Sequence, residues 1–405
     1  MRLGSFDSLG RWSKARILTA LVAVCALVSA VAWLAFRQAP IGTAAAAGQT
    51  RAPPAPPSNI EVEVVASGLE HPWGLQFLPD GRLLVTERPG RLRTITRDGR
   101  KSEPIPGLPK IDANGQGGLL DVALAPDFAT SRWIYVSYAE PRAGGANGTA
   151  VARARLTGTP GQERLDGLAV IFRQEPALKS GLHFGSRLVF APDGRLFVTL
   201  GERFQMRYAQ DLGRHWGKVV RLEPDGRVPT DNPFVGKSGV RPEIWSYGHR
   251  NAQSAAIHPD TGVLWVIEHG PRGGDEVNIV KRGANYGWPV IGYGIDYSGV
   301  SLHDTTQKDG MEQPAYFWVP SIAPSGMAFY TGTEIPAWRG NILVGALAGQ
   351  ALHRLVLDGE RVVAEEVLLK DRGERVRDVR QGPDGAIWLL TDSDEGRVLR
   401  IKARL

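Results

Sequence analysis

Cysteine is almost missing from this 405-residue chain: the single copy, Cys25, sits in an apolar run near the start. Everything beyond residue 60 therefore lacks disulfides, thiolate metal ligands and the paired thiols that attach c-type haem. Cys25 has no small residue just before it, as a lipidation site needs, and apolar sequence continues past it. It reads as a buried small hydrophobe. A basic face is missing too, despite a formal charge of +6. The first 58 residues hold Arg2, Arg11, Lys14, Arg16, Arg37 and Arg51 against Asp7 alone, and the remainder is balanced to within one charge. No basic stripe is left for nucleic acid. Long amphipathic helices are the third absence. With 42% apolar residues the chain can still bury a large core, and 49 glycines with 28 prolines suit many short strands joined by turns.

The leader itself is readable. Arg11, Lys14 and Arg16 precede ILTALVAVCALVSAVAWLAF (17–36), which carries no charge, then Arg37, an alanine run (44–47) and RAPPAPPSN. This is an export signal or a signal anchor. The apolar run is longer than the ~7–15 residues of a cleaved signal and near the ~20 that span a bilayer. Residues 1–47 are thus expected as the signal or anchor helix and 48–59 as a Pro/Ala-rich linker. The globular part, 60–405, is expected in the periplasm, secreted or tethered to the inner membrane.

Past residue 60 one phrase recurs: an apolar strand, Pro-Asp with Gly, another apolar strand. It reads GLQFLPDGRLLVTE (74–87), DVALAPDFATSRWIYVSY (121–138), RLVFAPDGRLFVTLGE (187–202), SAAIHPDTGVLWVIE (254–268) and DVRQGPDGAIWLLTD (378–392). A degenerate copy, GMAFYTGTEIPAWRGNILVGAL (326–347), fills the one wide gap. Proline presets φ, Asp bonds its own backbone and Gly takes positive φ, so each phrase is a hairpin. A spacing of about 45–70 residues suffices for four strands per copy. The expectation is all-β: a six-bladed propeller of four-stranded antiparallel blades, with the C-terminal GRVLRIKARL as the last strand closing the ring.

Several stretches carry chemistry. In SGLHFGSRLVF, His183 lies between Gly181 and Gly185, which clear space for an imidazole acting as a base. His249, Arg250 and Asn251 stand together at another strand entrance, where Arg offers a planar fork and Asn both donates and accepts. Arg375 and Arg377, two apart, face the same way if on a strand. Two guanidiniums so placed call for an anion between them, unless Asp378 neutralises one. Gln116 sits in a Gly-bracketed loop, NGQGGLLD. EHGPRGGDEVN (268–278) is a plain turn, a phosphate cradle or a metal loop. The acids Asp275 and Glu276 oppose phosphate, and backbone carbonyls with carboxylates suit a hard cation such as Ca²⁺.

Taken together, from about residue 60 to 402, these stretches resemble the soluble pyrroloquinoline-quinone (PQQ) dependent aldose sugar dehydrogenases. The motifs HPWGLQFLPDGRLLVTERPGRL, NGQGGLLDVALAPDF, HFGSRLVF, LGERF, AQDL, DNPF, SYGHRNAQ, EHGPRGGDEVN, GANYGWP and RVRDVRQGPDG occur in family order. The resemblance implies PQQ over the channel mouth with Ca²⁺, and oxidation of the anomeric hydroxyl of an aldose sugar to a lactone. It implies His183 as the base, Glu202 as the carboxylate orienting it, and Arg250 as the group polarising the acceptor carbonyl. Cofactor contacts carry over to Gln116, His183, Arg250, Asn251, Tyr297, Arg375 and Arg377. Position 348, an alanine here, is often Lys in relatives. Gly270 and Pro271 match carbonyl ligands of one Ca²⁺, and Glu276 with the backbone of Tyr286 those of a second. Histidines 71, 215, 258, 303 and 353 are read as structural or exposed. Electrons would leave to a separate carrier or the quinone pool, and the chain would act as a monomer or homodimer. The competing readings are a propeller lactonase, which wants several carboxylates on one axial metal, and a non-catalytic binding module.

Overall fold

The computed structural model describes residues 52–404. The leader helix expected over 17–36 lies outside the described residues, among which no helix is long and apolar enough to cross a membrane. The chain forms six antiparallel sheets, five of four strands and one of three. Their innermost strands, Pro72–Phe77, Leu119–Leu124, Gly185–Phe190, Ala252–Ile257, Pro324–Phe329 and Val376–Gln381, each touch the next, and the sixth touches the first. That is a closed six-bladed propeller; the blades are numbered 1 to 6 by these strands.

Each Pro-Asp phrase is the hairpin between a blade's first and second strands. The second strands Leu83–Glu87, Leu196–Leu200, Leu264–Glu268, Ile342–Ala346 and Ile387–Thr391 are buried along their whole length. Both faces of a blade pack on neighbours, which is why these strands are near-continuous apolar runs rather than alternating ones. The apolar side chains form no single central core. Most fall into six clusters, one in each gap between blades; Leu84, Leu119, Val136 and Ala152, for example, join blades 1 and 2.

Two expectations change. Blade 1 has only three strands, Pro72–Phe77, Leu83–Glu87 and Arg91–Ile95, with a lone bridge from Ile95 to Lys101 at its edge. Blade 6 is closed not by the C-terminal strand but by the N-terminal one. Gly396–Ala403 is its third strand, and Ile60–Leu69 pairs outside it, Ile60 opposite Ala403 and Leu69 opposite Gly396. Pairing the first and last strands of the described residues in one sheet leaves the ring no seam. Residues 53–58, expected as linker, run along the edge of blade 5. Ala55 N–H donates to the Glu365 carbonyl (2.8 Å), and the Glu366 carboxylate accepts from Ser58 N–H (2.6 Å) and Oγ (2.7 Å).

Buried hydroxyls link blade to blade. Thr86 Oγ1 donates to the Leu120 carbonyl (2.6 Å), Ser137 to Ser186 (2.7 Å), Thr199 to Ala252 (2.7 Å) and Ser325 to Val376 (2.6 Å), and Ser254 to Ser325. At the sixth joint the Asp378 carboxylate accepts Leu75 N–H (3.0 Å). Thr199→Val keeps the shape but orphans the Ala252 carbonyl and the Arg187 N–H that bonds the same hydroxyl. A loss of about 1–3 kcal/mol in urea unfolding is expected; a variant as stable as the parent would show the ring of hydroxyls to be incidental.

Candidate active site

In an antiparallel blade the first strand begins where the second ends, so these two points share one end of the propeller. His183, Arg250, Asn251, Arg375 and Arg377 precede or open first strands; Glu202, Glu268, Ala348 and Asp392 follow or end second strands. They therefore surround one mouth. Every first strand also has a register irregularity near this end, for instance between Ala252 and Ser254 and between Val376 and Asp378. Bulges re-aim side chains, here into the mouth.

His183 is left-handed (φ 51) and buried, 5% exposed. Gly185 (φ 65) and Gly201 allow this approach, because a Cβ on Gly201 would stand 2.0 Å from the His183 carbonyl. The Gln116 amide oxygen accepts the His183 N–H (2.8 Å), and the Asn251 amide oxygen accepts Gly185 N–H (3.0 Å). Both amides, expected as cofactor contacts, thus spend their oxygens on the histidine loop and retain their NH₂ groups for a ligand. His183 Nδ1 lies 3.0 Å from Glu202 Oε1, and the second Glu202 oxygen accepts Gln205 N–H (2.9 Å). With Nδ1 donating, Nε2 carries the lone pair. Burial pushes the imidazole below its usual pKa, Glu202 pulls it back up, and the Arg250 charge adds to the depression. The group is a neutral, oriented base.

Arg250 is 4% exposed, yet it makes no ion pair among the described residues. Its Nη1 donates to the carbonyls of His269 (3.1 Å) and Gly270 (2.9 Å), and Nη2 to the hydroxyl of half-exposed Tyr297 (3.4 Å). A buried guanidinium without a carboxylate is poised for an anion or a polarised carbonyl. His249 turns away: it bonds Glu268 (2.8 Å) and stacks on Tyr286.

The loop after Glu268 needs its glycines, since a Cβ on Gly270 would meet the Gly273 carbonyl at 2.1 Å. The carbonyl of Gly270 holds Arg250 and keeps one lone pair over; Pro271 lines the same mouth. Behind it, Glu268 and Glu276 face each other across the strand pair. Glu268 is satisfied by His249 and by Arg250 N–H (2.5 Å). Among the described residues Glu276 accepts only from Asn278 Nδ2 (3.2 Å), and the Asn278 oxygen is buried without a partner. Burial and the Glu268 charge push the Glu276 carboxyl well above its ordinary range. An uncompensated carboxylate beside an orphaned amide oxygen has the chemistry of a hard-cation site. Tyr286 packs beside it with its hydroxyl between Lys281 N–H (2.8 Å) and the Ile279 carbonyl (2.5 Å).

Three adjoining cavities open at the mouth. One of about 170 Å³ is lined by Glu202, Phe204, Arg250 and Tyr297; one of about 340 Å³ by Gly270, Pro271, Tyr297 and Ala348; one of about 330 Å³ by Gln116, Arg375 and Arg377. The two arginines do converge, but on Asp392: Arg377 Nη2 at 2.7 Å and Arg375 Nη2 at 3.4 Å. Asp378, expected as the neutraliser, pairs instead with Arg187 (3.0 Å) and Arg380 (3.1 Å) in the channel. Arg375 lies just before the strand, not on it.

His71 is a correction: it lines the third cavity and bonds Asp392 (2.7 Å) and Asp394 (2.9 Å). His269 was missed altogether. It borders the second and third cavities, donates from Nε2 to the Pro324 carbonyl (2.5 Å), and is depressed to about 3 by burial. Its place directly before Gly270-Pro271 was the available signal. Phe204, exposed and edge-on to His183 at 5.5 Å, follows Glu202 by two residues and had no signal beyond that.

A family model, Glucose / Sorbosone dehydrogenase, matches residues 69–400. The chain belongs to that family of propeller dehydrogenases. It is 46% identical over 353 residues to the aldose sugar dehydrogenase YliI of Escherichia coli (strain K12), covering 86% of this chain and 95% of that protein. A crystal structure of a glucose dehydrogenase superposes with a TM-score of 0.83 at 53% identity, over 85% of this chain and all of that one. The PQQ-bound aldose sugar dehydrogenase of Streptomyces coelicolor superposes at 0.70 with 31% identity, over 86% and 100%.

The Glu268–Glu276 pair gives a signed prediction. A carboxyl whose folded pKa is raised holds a proton that the unfolded chain releases, so its contribution weakens as pH rises above 4.5. In chelator-treated protein at neutral pH, Glu276→Gln should therefore raise the melting temperature, by about 1–2 °C per kcal/mol relieved in a propeller of this size. A fall under those conditions would mean that the carboxylate is compensated.

Proposed function

We propose that this chain is a PQQ- and Ca²⁺-dependent dehydrogenase that oxidises the anomeric hydroxyl of aldose sugars to lactones. The observation carrying this reading is the pairing of a neutral, Glu202-backed His183 with buried Arg250, which has no counter-ion among the described residues, beside an arginine-lined cavity. Family membership supports it, as does the PQQ-bound state of one structural relative.

The residues fit the group. PQQ is an anionic quinone; when bound it supplies the two-electron acceptor for the hydride leaving the anomeric carbon. Arg375 and Arg377 would take its carboxylate end, with the amides of Gln116 and Asn251 and the Tyr297 hydroxyl as further contacts. Arg250 would stabilise negative charge on a quinone oxygen, a role worth several kcal/mol in a dry site. Gly270 and Pro271 would offer carbonyls to one Ca²⁺, and Glu276 and Tyr286 would hold another. Ala348 brings no charge to the cavity it lines.

The protein's own chemistry centres on His183. The sugar hydroxyl would sit within reach of Nε2, which takes its proton as the C–H bond breaks. Glu202 keeps Nδ1 protonated and steadies the imidazolium. Phe204, Tyr297 and Trp288 supply apolar walls to the smaller cavity, against which a sugar ring would pack. A separate carrier or the quinone pool would then take the electrons. We place the enzyme outside the inner membrane, released or held by residues 17–36, as a monomer or homodimer.

A lactonase with an axial metal is the weaker reading. Carboxylates at the channel, Asp121 and Asp378, are taken by Arg187 at 3.0 Å each and by Arg380.

Adding PQQ and Ca²⁺ to the purified chain and following dye reduction with aldoses tests the proposal. His183→Ala should lose about 10²–10⁴-fold in kcat. The acid limb of kcat/KM should lie below pH 6.5, because His183 is depressed. Glu202→Gln removes the group that raises His183, so the limb should move further down while kcat falls about a hundredfold or more. No PQQ-dependent turnover by the parent, or wild-type turnover by His183→Ala, would sink the reading.

A further inference from the structure

The third mouth cavity is lined by one more guanidinium, which the pairing of Arg375 and Arg377 with Asp392 does not include. Arg88 directly follows the second strand of blade 1 and lines the same cavity as Arg375, Arg377, His71 and Gln116. Its backbone is fixed on both sides, N–H to the His71 carbonyl (3.0 Å) and carbonyl to Leu119 N–H (2.9 Å). The side chain passes over Gly118, where a Cβ would stand 2.4 Å from Arg88 Cγ. The bare backbone at 118 (φ 137) is thus what lets this guanidinium reach the mouth. There it donates from Nη1 to the Gly115 carbonyl (2.9 Å) and has no ion pair among the described residues.

The cavity is short of negative charge. Three guanidiniums face it with one carboxylate, Asp392, which Arg377, Arg375 and His71 already share. Burial depresses Arg377 most, Asp392 pulls it back up, and the neighbouring charges of Arg375 and Arg88 add to the depression. Trp73 forms part of the wall, 5.8 Å from the Arg377 guanidinium.

We propose that Arg88 is a third arginine of the cofactor site, binding a carboxylate of the anionic quinone opposite Arg375 and Arg377. This rests on the reading of the mouth as a PQQ site. Arg88 supplies the charge from blade 1, whereas position 348 in blade 5 supplies none. Its bond to Gly115 also places the charge beside Gln116, so the anion-binding group and the loop that holds His183 share one anchor.

The test is PQQ binding to the metal-loaded apo-protein by isothermal titration calorimetry, which needs no turnover. Arg88→Gln retains a donor for the Gly115 carbonyl and removes the charge, whereas Arg88→Lys retains charge. Arg88→Gln should weaken PQQ about 10- to 100-fold, and Arg88→Lys should lose clearly less. The dependence of Kd on salt should flatten in Arg88→Gln, since one screened attraction is gone. Arg97→Ala, at the opposite end of the propeller, is the charge control and should bind as the parent does. Wild-type affinity and salt dependence in Arg88→Gln would overturn the proposal and leave the proposed function standing. So would equal losses in Arg88→Gln and Arg88→Lys, which would assign Arg88 to propping the Gly115 loop. A parent that binds no PQQ would remove the function first and this inference with it.

Discussion

The mouth depends on six first strands held at fixed separation around a channel, and that spacing rests on buried polar bonds between blades. Apolar packing between blades is extensive but non-directional, so it would tolerate small rotations of one blade against the next. A hydroxyl donating to a carbonyl of the neighbouring first strand does not, because a buried carbonyl that loses its donor is left unsatisfied. Five such bonds run from blade to blade. At the remaining joint Asp378 takes their place. It bonds Leu75 N–H and pairs with Arg187 and Arg380, which also hold Asp121. Blades 6, 1, 2 and 3 are thereby joined through one set of charges at the channel. A Cβ at Gly74 would stand 2.8 Å from an Asp121 oxygen, and one at Gly326 would stand 2.4 Å from an Asp378 oxygen, so the set also dictates glycine on the facing strands.

From that spacing the site follows by local geometry. The strands are bulged at the mouth end; the bulge brackets Arg377 in blade 6, while His183 and Asn251 stand just before the bulged starts of their own strands. Rigid strand below and irregular backbone above is how a propeller can hold catalytic groups from different blades to hydrogen-bond tolerance. His183 shows the result. Its N–H is held from blade 2 by Gln116, its ring by Glu202 of blade 3, and the turn beneath it by Asn251 of blade 4.

Much of this was legible. Pro-Asp-Gly turns are local chemistry, so five hairpins and the blade number could be read directly, and motif order pointed to His183, Glu202 and Arg250. What was not legible depends on partners distant in sequence. That Ile60–Leu69 closes blade 6 is a pairing across more than three hundred residues, and neither strand differs in composition from its fellows. That Asp392 rather than Asp378 takes the two arginines follows from the bulge at Arg377, which no spacing rule announces. His269 and Arg88 escaped for the opposite reason. Each lies inside a conspicuous motif, and its importance comes only from the cavity that the fold builds around it.

The buried charges divide by location, and the division says which belong to the fold. At the channel Asp121, Arg187, Asp378 and Arg380 alternate in sign and neutralise one another. At the mouth the balance fails in two directions. Blade 4 brings the Glu276 carboxyl against Glu268, where ionising both is opposed and a cation would relieve the repulsion. Blades 1 and 6 bring Arg88, Arg375 and Arg377 against Asp392, an excess of positive charge that an anion would relieve. Burying unmatched charge is unfavourable by itself, and a fold selected for stability alone would replace such groups with apolar ones. Each imbalance leaves room for a counter-charge, a cation against the carboxyls of blade 4 and an anion against the arginines of blades 1 and 6. On the proposed reading these would be the metal ion held by Glu276 and the carboxylates of PQQ, two separate ligands whose charges would complete the mouth and the loop behind it.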